Sequence, residues 1–337
     1  MNLPTYVINN DRQIMVDDTN GVFFGDSSSV DAFGRLRISS PDTLFDSKQL
    51  YDSAPLIFDD QEVSGTGTGS SHNANTASTI LSTTNATAGK RVRQTFMRFN
   101  YQPGKSQLIL CTGTLQLLGG GTGTTRAFGY FDDNNGLFLQ DKEGTIQFVK
   151  RGSMTGSPVD TEVDQADWNL DKMDGTGASG ITLDFTKSQI LFIDFEWLGV
   201  GRVRMGFVVD GGIYYAHEFN HANNLAGVYM STPNLPIRYE LENDGNGGAA
   251  ALEHICASII SEGGQQQTGV LRHADSGVTG NLSAGTAYAL LGGRLKSTHL
   301  DLAVVVENIS CIVANTSGGK AHWELRCYEH NYRWNRD

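Results

Sequence analysis

The chain has 337 residues, a formal net charge of −12, 39% hydrophobic residues, 40 glycines and 7 prolines. That length supports one large β domain or two smaller ones, and the acidic balance serves solubility while arguing against broad binding to nucleic acid or an anionic membrane. No apolar run reaches the ~18 residues of a membrane-spanning helix, and the opening MNLPTYVINNDRQ lacks both the basic start and the apolar core of a signal peptide.

Frequent glycine with many Thr, Ser and Asn suits an all-β chain rich in turns. Residues 1–32 are polar, with Val22-Phe23-Phe24 as the one hydrophobic knot. From Ser28 to Gly65 short apolar pieces (Leu36 and Ile38, Leu44 and Phe45, Leu56 to Phe58) alternate with Asp and Ser-Pro breaks. They are too short for a core of their own and must pack on something else. The expected division is therefore an extended N-terminal arm over 1–60 and a β-sandwich over 61–337.

Residues 65–89 are Thr, Ser, Asn, Ala and Gly, and read as an exposed polar strand or loop. Val92 to Phe99 alternates, with Arg93 and Arg98 among apolar neighbours. Leu108 to Leu118 reads as a buried strand. AFGYFDDNNGLFLQDKEGTIQFVKRG reads as three strands joined by turns at Asp133-Asn134-Asn135-Gly136 and Lys142-Glu143-Gly144. A polar connection over 152–180 carries Trp168 and Met173.

The most informative stretch is Ile190 to Phe219, ILFIDFEWLGVGRVRMGFVVDGGIYYAHEF. Its three β-branched and aromatic runs predict an antiparallel meander. Leu191, Ile193, Phe195 and Trp197 share one face, as do Val203, Met205, Phe207 and Val209. Cross-strand partners must share a face, so a three-residue loop Gly199-Val200-Gly201 is expected, pairing Trp197 with Val203, Phe195 with Met205 and Ile193 with Phe207. Glu196 then sits beside Arg204 on the wet face. The same reasoning expects a loop Asp210-Gly211-Gly212, with Ile213, Tyr215, His217 and Phe219 on the buried face. A sheet with one dry face needs a second layer.

Residues 220–235 read as a loop and Ile237 to Leu241 as a strand. Residues 252–260 fit both helix and strand spacing, and the glycine turns around them favour strand. Residues 263–285 read as a polar loop. Three more strands are expected in HLDLAVVVENISCIVANTSGGKAHWELRCYEHNYRW. Cys111, Cys256, Cys311 and Cys327 lack metal-type spacing and sit in apolar runs, as buried free thiols do.

The sharpest chemical motif is His217-Glu218-Phe219-Asn220-His221, a formal HExxH, with Glu240 as a conceivable third ligand. Zinc proteases place that motif on a helix. Here IYYAHEF is a strand pattern, which turns Glu218 away from both histidines. The glycine clusters at 65–69 and 119–123 lack the Gly-Lys-Ser/Thr of a phosphate loop. Asp132-Asp133-Asn134-Asn135-Gly136 lacks calcium-loop spacing and reads as an Asx turn. Asp59-Asp60-Glu62 reads as a solvated acidic face. Neither a catalytic residue, a metal ligand nor a cofactor site is assigned.

DAFGRLR followed closely by TLFDSKQ resembles a family of virion structural proteins of tailed bacteriophages. The resemblance continues through RVRQTFMRFNYQPGKSQ, FIDFEWLGVGRVRMGFVVDG, MSTPNLPIRYE and LEHICASIISEGG, from Asp31 to Gly264. It implies a particle component, placed in the virion and assembled in the host cytoplasm, and brings no catalytic residue with it.

The combined expectation is an all-β, antiparallel, jelly-roll-like β-sandwich with an extended arm. Its function is that of a non-enzymatic virion protein, decorating the capsid or sitting peripherally on the tail or baseplate. The expected partners are itself, as a trimer, and other virion proteins. Phe33, Arg35, Leu36, Arg37, Leu44 and Phe45 are the expected contact residues: the apolar four would anchor in a groove of this subunit or a neighbour, and the arginines would meet carboxylates. A second class is a tail receptor-binding protein recognising a host-surface glycan, which exposed aromatics such as Trp168 or Tyr229 would support. A third is a zinc-dependent or glycan-cleaving hydrolase, the latter needing facing carboxylates.

Overall fold

The computed structural model describes residues 39–266 continuously, three short strands before them, and scattered residues between 270 and 309. Phe33, Arg35, Leu36 and Arg37 lie outside the described residues, as do Cys311, Cys327 and the strands expected over 299–334. The three early strands, β1 (Thr5–Asn9), β2 (Arg12–Asp17) and β3 (Gly21–Phe24), pair antiparallel in that order, within the stretch expected to be an extended arm.

The rest is a two-layer antiparallel sandwich, jelly-roll-like in form. One sheet has seven strands, in the order β13 (Val159–Asp164), β12 (Thr145–Gly152), β11 (Gly136–Lys142), β10 (Thr124–Phe131), β17 (Ile237–Asn243), β8 (Gly89–Thr95) and β5 (Phe58–Gly65). The other has eight. Its path runs β16 (Gly212–Phe219), β15 (Val203–Val209), β14 (Gln189–Phe195), β9 (Gln107–Gly119), β18 (Ala250–Ser261), β7 (Ser78–Thr83) and β6 (Thr68–Asn73). The eighth, β4 (Asp42–Lys48), pairs with the C-terminal half of β18, while β7 takes the N-terminal half. β4 and β5 both belong to the sandwich, so the boundary expected at residue 60 falls inside a strand.

Alternation explains the layers. Phe128 and Tyr130 of β10, Leu137 and Leu139 of β11, Ile237, Tyr239 and Leu241 of β17 point inward. Leu191, Ile193 and Phe195 of β14 meet them from the other sheet with Val203, Met205 and Phe207 of β15. Phe128 stacks on Tyr239, its neighbour in the same sheet, at 5.3 Å, while Phe148 joins the layers by stacking on Phe207 at 5.8 Å, with Trp168 beside it at 4.2 Å. Each fully buried Phe of this kind contributes about 1.5–3 kcal/mol.

The meander forms with its expected faces and a different register. Phe195 pairs with Val203, Ile193 with Met205 and Leu191 with Phe207, and Arg204 lies opposite Asp194 rather than Glu196. The connection is the whole of 196–202. The second turn has two residues, Asp210 (φ 50°) and Gly211 (φ 80°), the mirror-image turn that Asp-Gly favours. A bulge between Met205 and Gly206 then changes the phase. Tyr214 therefore packs against the core while Ile213 is exposed, and Tyr215 stands outside, against Phe192 and Arg204. His217 and Phe219 are buried as expected.

Two other expectations change. Residues 65–89 hold β6 and β7, and β7 is largely interior: Ser78, Thr79 and Leu81 are fully buried. Ser78 donates to Glu253 (2.7 Å), a carboxylate that also accepts from Thr114 (2.8 Å). Residues 252–260 are strand throughout, and Cys256 is half-buried while Cys111 is buried, both free.

Candidate functional site

Of the expected contact residues, Leu44 and Phe45 are described. Both lie on β4 and pack, half-buried, against this chain's own core; Phe45 meets Phe99 at 5.0 Å and Phe58 at 6.2 Å. The sandwich itself holds the segment where β4 runs.

Between β4 and β5 the chain makes a loop over 49–57 whose backbone is pinned from below. Arg93, fully buried, reaches it from β8: Nη2 donates to Gln49 Oε1 (2.9 Å) and to the Ser53 carbonyl. The remaining donors go to Asp60 Oδ2 (3.2 Å) and His254 Nδ1 (3.1 Å), and the guanidinium lies 4.5 Å over the Phe58 ring. Asp52 closes an Asx turn on the Ala54 amide (2.7 Å), and the Ala54 carbonyl accepts from Ile57 and Phe58. The Phe96 amide donates to the Ile57 carbonyl (3.0 Å), so the chain after β8 lies beside the loop.

Six apolar side chains point outward from this fixed backbone. Tyr51 is 92% exposed, Leu56 87%, Met97 57%, Phe96 51%, Leu50 49% and Ile57 39%. Large side chains gathered on one exposed surface mark contact sites more often than single ones do. Sequence reading saw Leu56 and Ile57 as apolar pieces in need of a partner. It missed Tyr51, because that residue stands alone between polar neighbours, and it took Phe96 and Met97 for strand residues.

The outward face of the seven-stranded sheet is a second surface. Cross-strand register sets Asp164, Gln147, Gln140, Ala127 and Glu240 in one row, and Glu162, Val149, Phe138, Gly129 and Arg238 in the next. Gln140 donates to Gln147 (2.7 Å), Gln147 to Asp164 (2.7 Å) and Lys142 to Glu162 (2.7 Å). Ala127, Phe131, Phe138 and Val149 form a small outer cluster, roofed by Arg238 over Phe131 (5.3 Å) and Arg151 over Phe138 (5.0 Å). Glu240 accepts from Lys90 (2.6 Å) and Arg238 (2.5 Å). Burial works against its charge, but these two cations and Arg151 win and hold it at about 2. A carboxyl fixed as an anion cannot serve as a general acid near neutral pH.

The HExxH residues are engaged elsewhere. His221 stacks on Tyr229 at 4.1 Å, donates from Nδ1 to the Gly201 carbonyl (2.6 Å) and accepts at Nε2 from Lys150 (3.1 Å). His217 accepts from the Asn169 amide (3.3 Å). Burial lowers the pKa of both imidazoles. Glu218 lies on the opposite face, near Arg202 (3.7 Å), as strand alternation requires, and Glu240 is in the other sheet. Trp168 and Tyr229, considered as exposed aromatics, are 3% and 1% exposed: Trp168 sits in the ring stack and Tyr229 bonds Glu196 O (3.0 Å). Both belong to the core, and neither offers a platform to a sugar.

Two small clefts flank Glu196 and Arg202, of about 280 and 220 Å³. The second holds Asp194, Arg204, Ser106 and Glu262. Burial pushes the Asp194 carboxyl up against the pull of Arg204. The Asp132 loop is an Asx turn as expected, Oδ1 accepting from the Asn134 and Asn135 amides at 2.8 Å. The Asp59-Asp60-Glu62 run is not simply solvated: Asp60 is tied to Arg91 (2.7 Å) and Arg93, and Glu62 to Thr68.

No family model and no curated protein matches the chain. Among solved structures, an endo-1,3-beta-glucanase from Streptomyces sioyaensis is similar at 10% identity, over 67% of this chain and 98% of its own, with a TM-score of 0.42. The carbohydrate recognition domain of Emp47p is similar at 12% identity, over 64% and 94%, with a TM-score of 0.38. The binding domain of botulinum neurotoxin DC, in complex with SialylT, is similar at 9% identity, over 66% of this chain and 48% of that one, with a TM-score of 0.38.

Proposed function

We propose that this protein is a non-enzymatic structural component of a tailed-phage virion, on the capsid surface or at the periphery of the tail or baseplate, and that it acts through subunit contacts. The block-by-block resemblance from Asp31 to Gly264 motivates the setting. The observation that carries the contact role is the preformed apolar surface of Leu50, Tyr51, Leu56, Ile57, Phe96 and Met97. Its backbone is already fixed, so a partner would bind it without first ordering a loop. A homo-oligomer follows, with a trimer as the expected state. Protein mass spectrometry of purified particles tests the setting, and light scattering of the purified chain tests the association. Absence from particles would sink the first, and a monomer at every concentration the second.

The exposed carboxylates of Glu162 and Asp164 on the edge strand β13 favour a second reading, binding of a host-surface glycan, since such groups can hydrogen-bond sugar hydroxyls. Retention on glycan arrays that is lost in Glu162→Ala and Asp164→Ala would support it; no retention on any array would remove it.

A further inference from the structure

We infer that the exposed apolar surface formed by the 49–57 loop and Phe96-Met97 receives the DAFGRLR segment, residues 31–37, of a second copy of this chain. The inference deepens the subunit-contact reading and rests on it.

Three observations converge. The surface is prepared: Arg93 and the Ala54 and Ile57 carbonyls fix its backbone, while six large side chains stay exposed in the isolated chain. Its edge is acidic. Asp52 and Asp59 flank it, and no cation pairs with either among the described residues. Arg98, next to Met97, is committed to Asp132 at 2.7 Å.

The segment has complementary chemistry. Phe33 and Leu36 supply two large apolar groups, and Arg35 and Arg37 bring two positive charges to a chain whose net charge is −12. Apolar anchors would enter the surface while guanidiniums meet the Asp52 and Asp59 carboxylates at its rim, where charge sets orientation more than affinity. The geometry allows the exchange. The body begins at Ser39, whose Oγ donates to the Glu262 carbonyl (2.6 Å), and β3 ends at Phe24. Phe33 lies six residues before the Ser39 anchor, so an extended chain carries it up to about 20 Å away from the body of its own subunit.

The test uses the full chain. A benzophenone amino acid is placed at position 33 of 15N-labelled protein, which is mixed with unlabelled protein, irradiated and digested. Mixed-isotope adducts to residues 50–57 or 96–97 are expected. Adducts confined to one isotope would put the segment on its own chain and overturn the inference. Adducts elsewhere on the partner, or none, would overturn it too.

Phe96→Ser with Met97→Ser, both exposed and so neutral to folding, should weaken association about tenfold or more. Arg35→Glu with Arg37→Glu should also weaken it, and Asp59→Lys should restore part of the loss. Unchanged association in the serine variant counts against the surface as acceptor. The two readings fail separately: cross-linking as expected in a protein absent from particles leaves the contact standing and removes the virion role. Particle incorporation without mixed adducts does the reverse.

Discussion

Arg93 shows how one residue connects the interior to the surface. It is fully buried, yet it serves Gln49, Ser53, Asp60 and His254 at once. Removing one member of a buried charged network typically costs 3–5 kcal/mol, because the others lose their partner. Asp60 keeps Arg91, so Arg93→Met should fall near the lower end, about 3 kcal/mol by urea unfolding. It should also open the 49–57 loop to protease before the body unfolds; a loop as resistant as wild type would show that other contacts hold it. His254 adds a pH dependence. Burial and the neighbouring guanidinium hold its pKa well below the ordinary 6.5, and burial lowers His217 and His221 as well. Each binds a proton less readily when folded than when unfolded, so stability is full above about 6.5 and falls as pH drops through and below it. Asp194, with its pKa raised, works the other way but only nearer the carboxylate range. Unfolding free energies at pH 7.5, 6.5 and 5.5 should therefore decline in that order, and His254→Gln should flatten the decline.

At the scale of elements, the turns decide the register. Gly211 sits at φ 80° in open space, so Gly211→Ala should cost about 1 kcal/mol through backbone conformation alone. Gly206 is a different case. A Cβ there would lie 2.0 Å from the Tyr214 carbonyl and 2.9 Å from the Phe192 ring, so Gly206→Ala should cost clearly more and disturb the bulge. Equal melting shifts for the two would contradict that reading. These turns also show what the sequence could and could not tell. The buried faces of β14 and β15 were legible because alternation survives any shift of register by two. Their pairing was not, because the 196–202 connection is closed by distant groups: Trp197 Nε1 donates to the Met230 carbonyl (3.0 Å) and the Tyr229 amide to Gly199 (2.9 Å). β7 was read as exposed because Ser and Thr are polar, and the Glu253 carboxylate that satisfies Ser78 lies 175 residues away. The contact surface was half legible. Leu56 and Ile57 could be seen to need a partner, whereas the clustering of Tyr51, Phe96 and Met97 beside them exists only in three dimensions.

For the whole molecule, the question is where the self-sufficient body begins. β4 pairs with β18 from Asp42–Ser261 to Lys48–Cys256, and Phe45 fills a place between Phe58 and Phe99. Deleting residues 1–38 removes the DAFGRLR segment and spares every one of those contacts, so the truncated chain should fold with a melting temperature close to that of the full chain. Deleting residues 1–48 strips a strand from the eight-stranded sheet, exposes the Phe58 and Phe99 rings and makes Gln49, the partner of Arg93, the first residue of the chain. That chain should be strongly destabilised or insoluble. Phe45→Ala in the full chain gives the same contrast in milder form, about 2–3 kcal/mol, because the side chain is half-buried and not enclosed. Circular dichroism melts of the three proteins check the ranking. If the 1–38 deletion also unfolds, the segment belongs to its own subunit's core, and an exchange between copies would have to work against that. If it folds, stays monomeric where the full chain associates, and is excluded from assembled particles, then folding resides in the sandwich and association in the segment ahead of it.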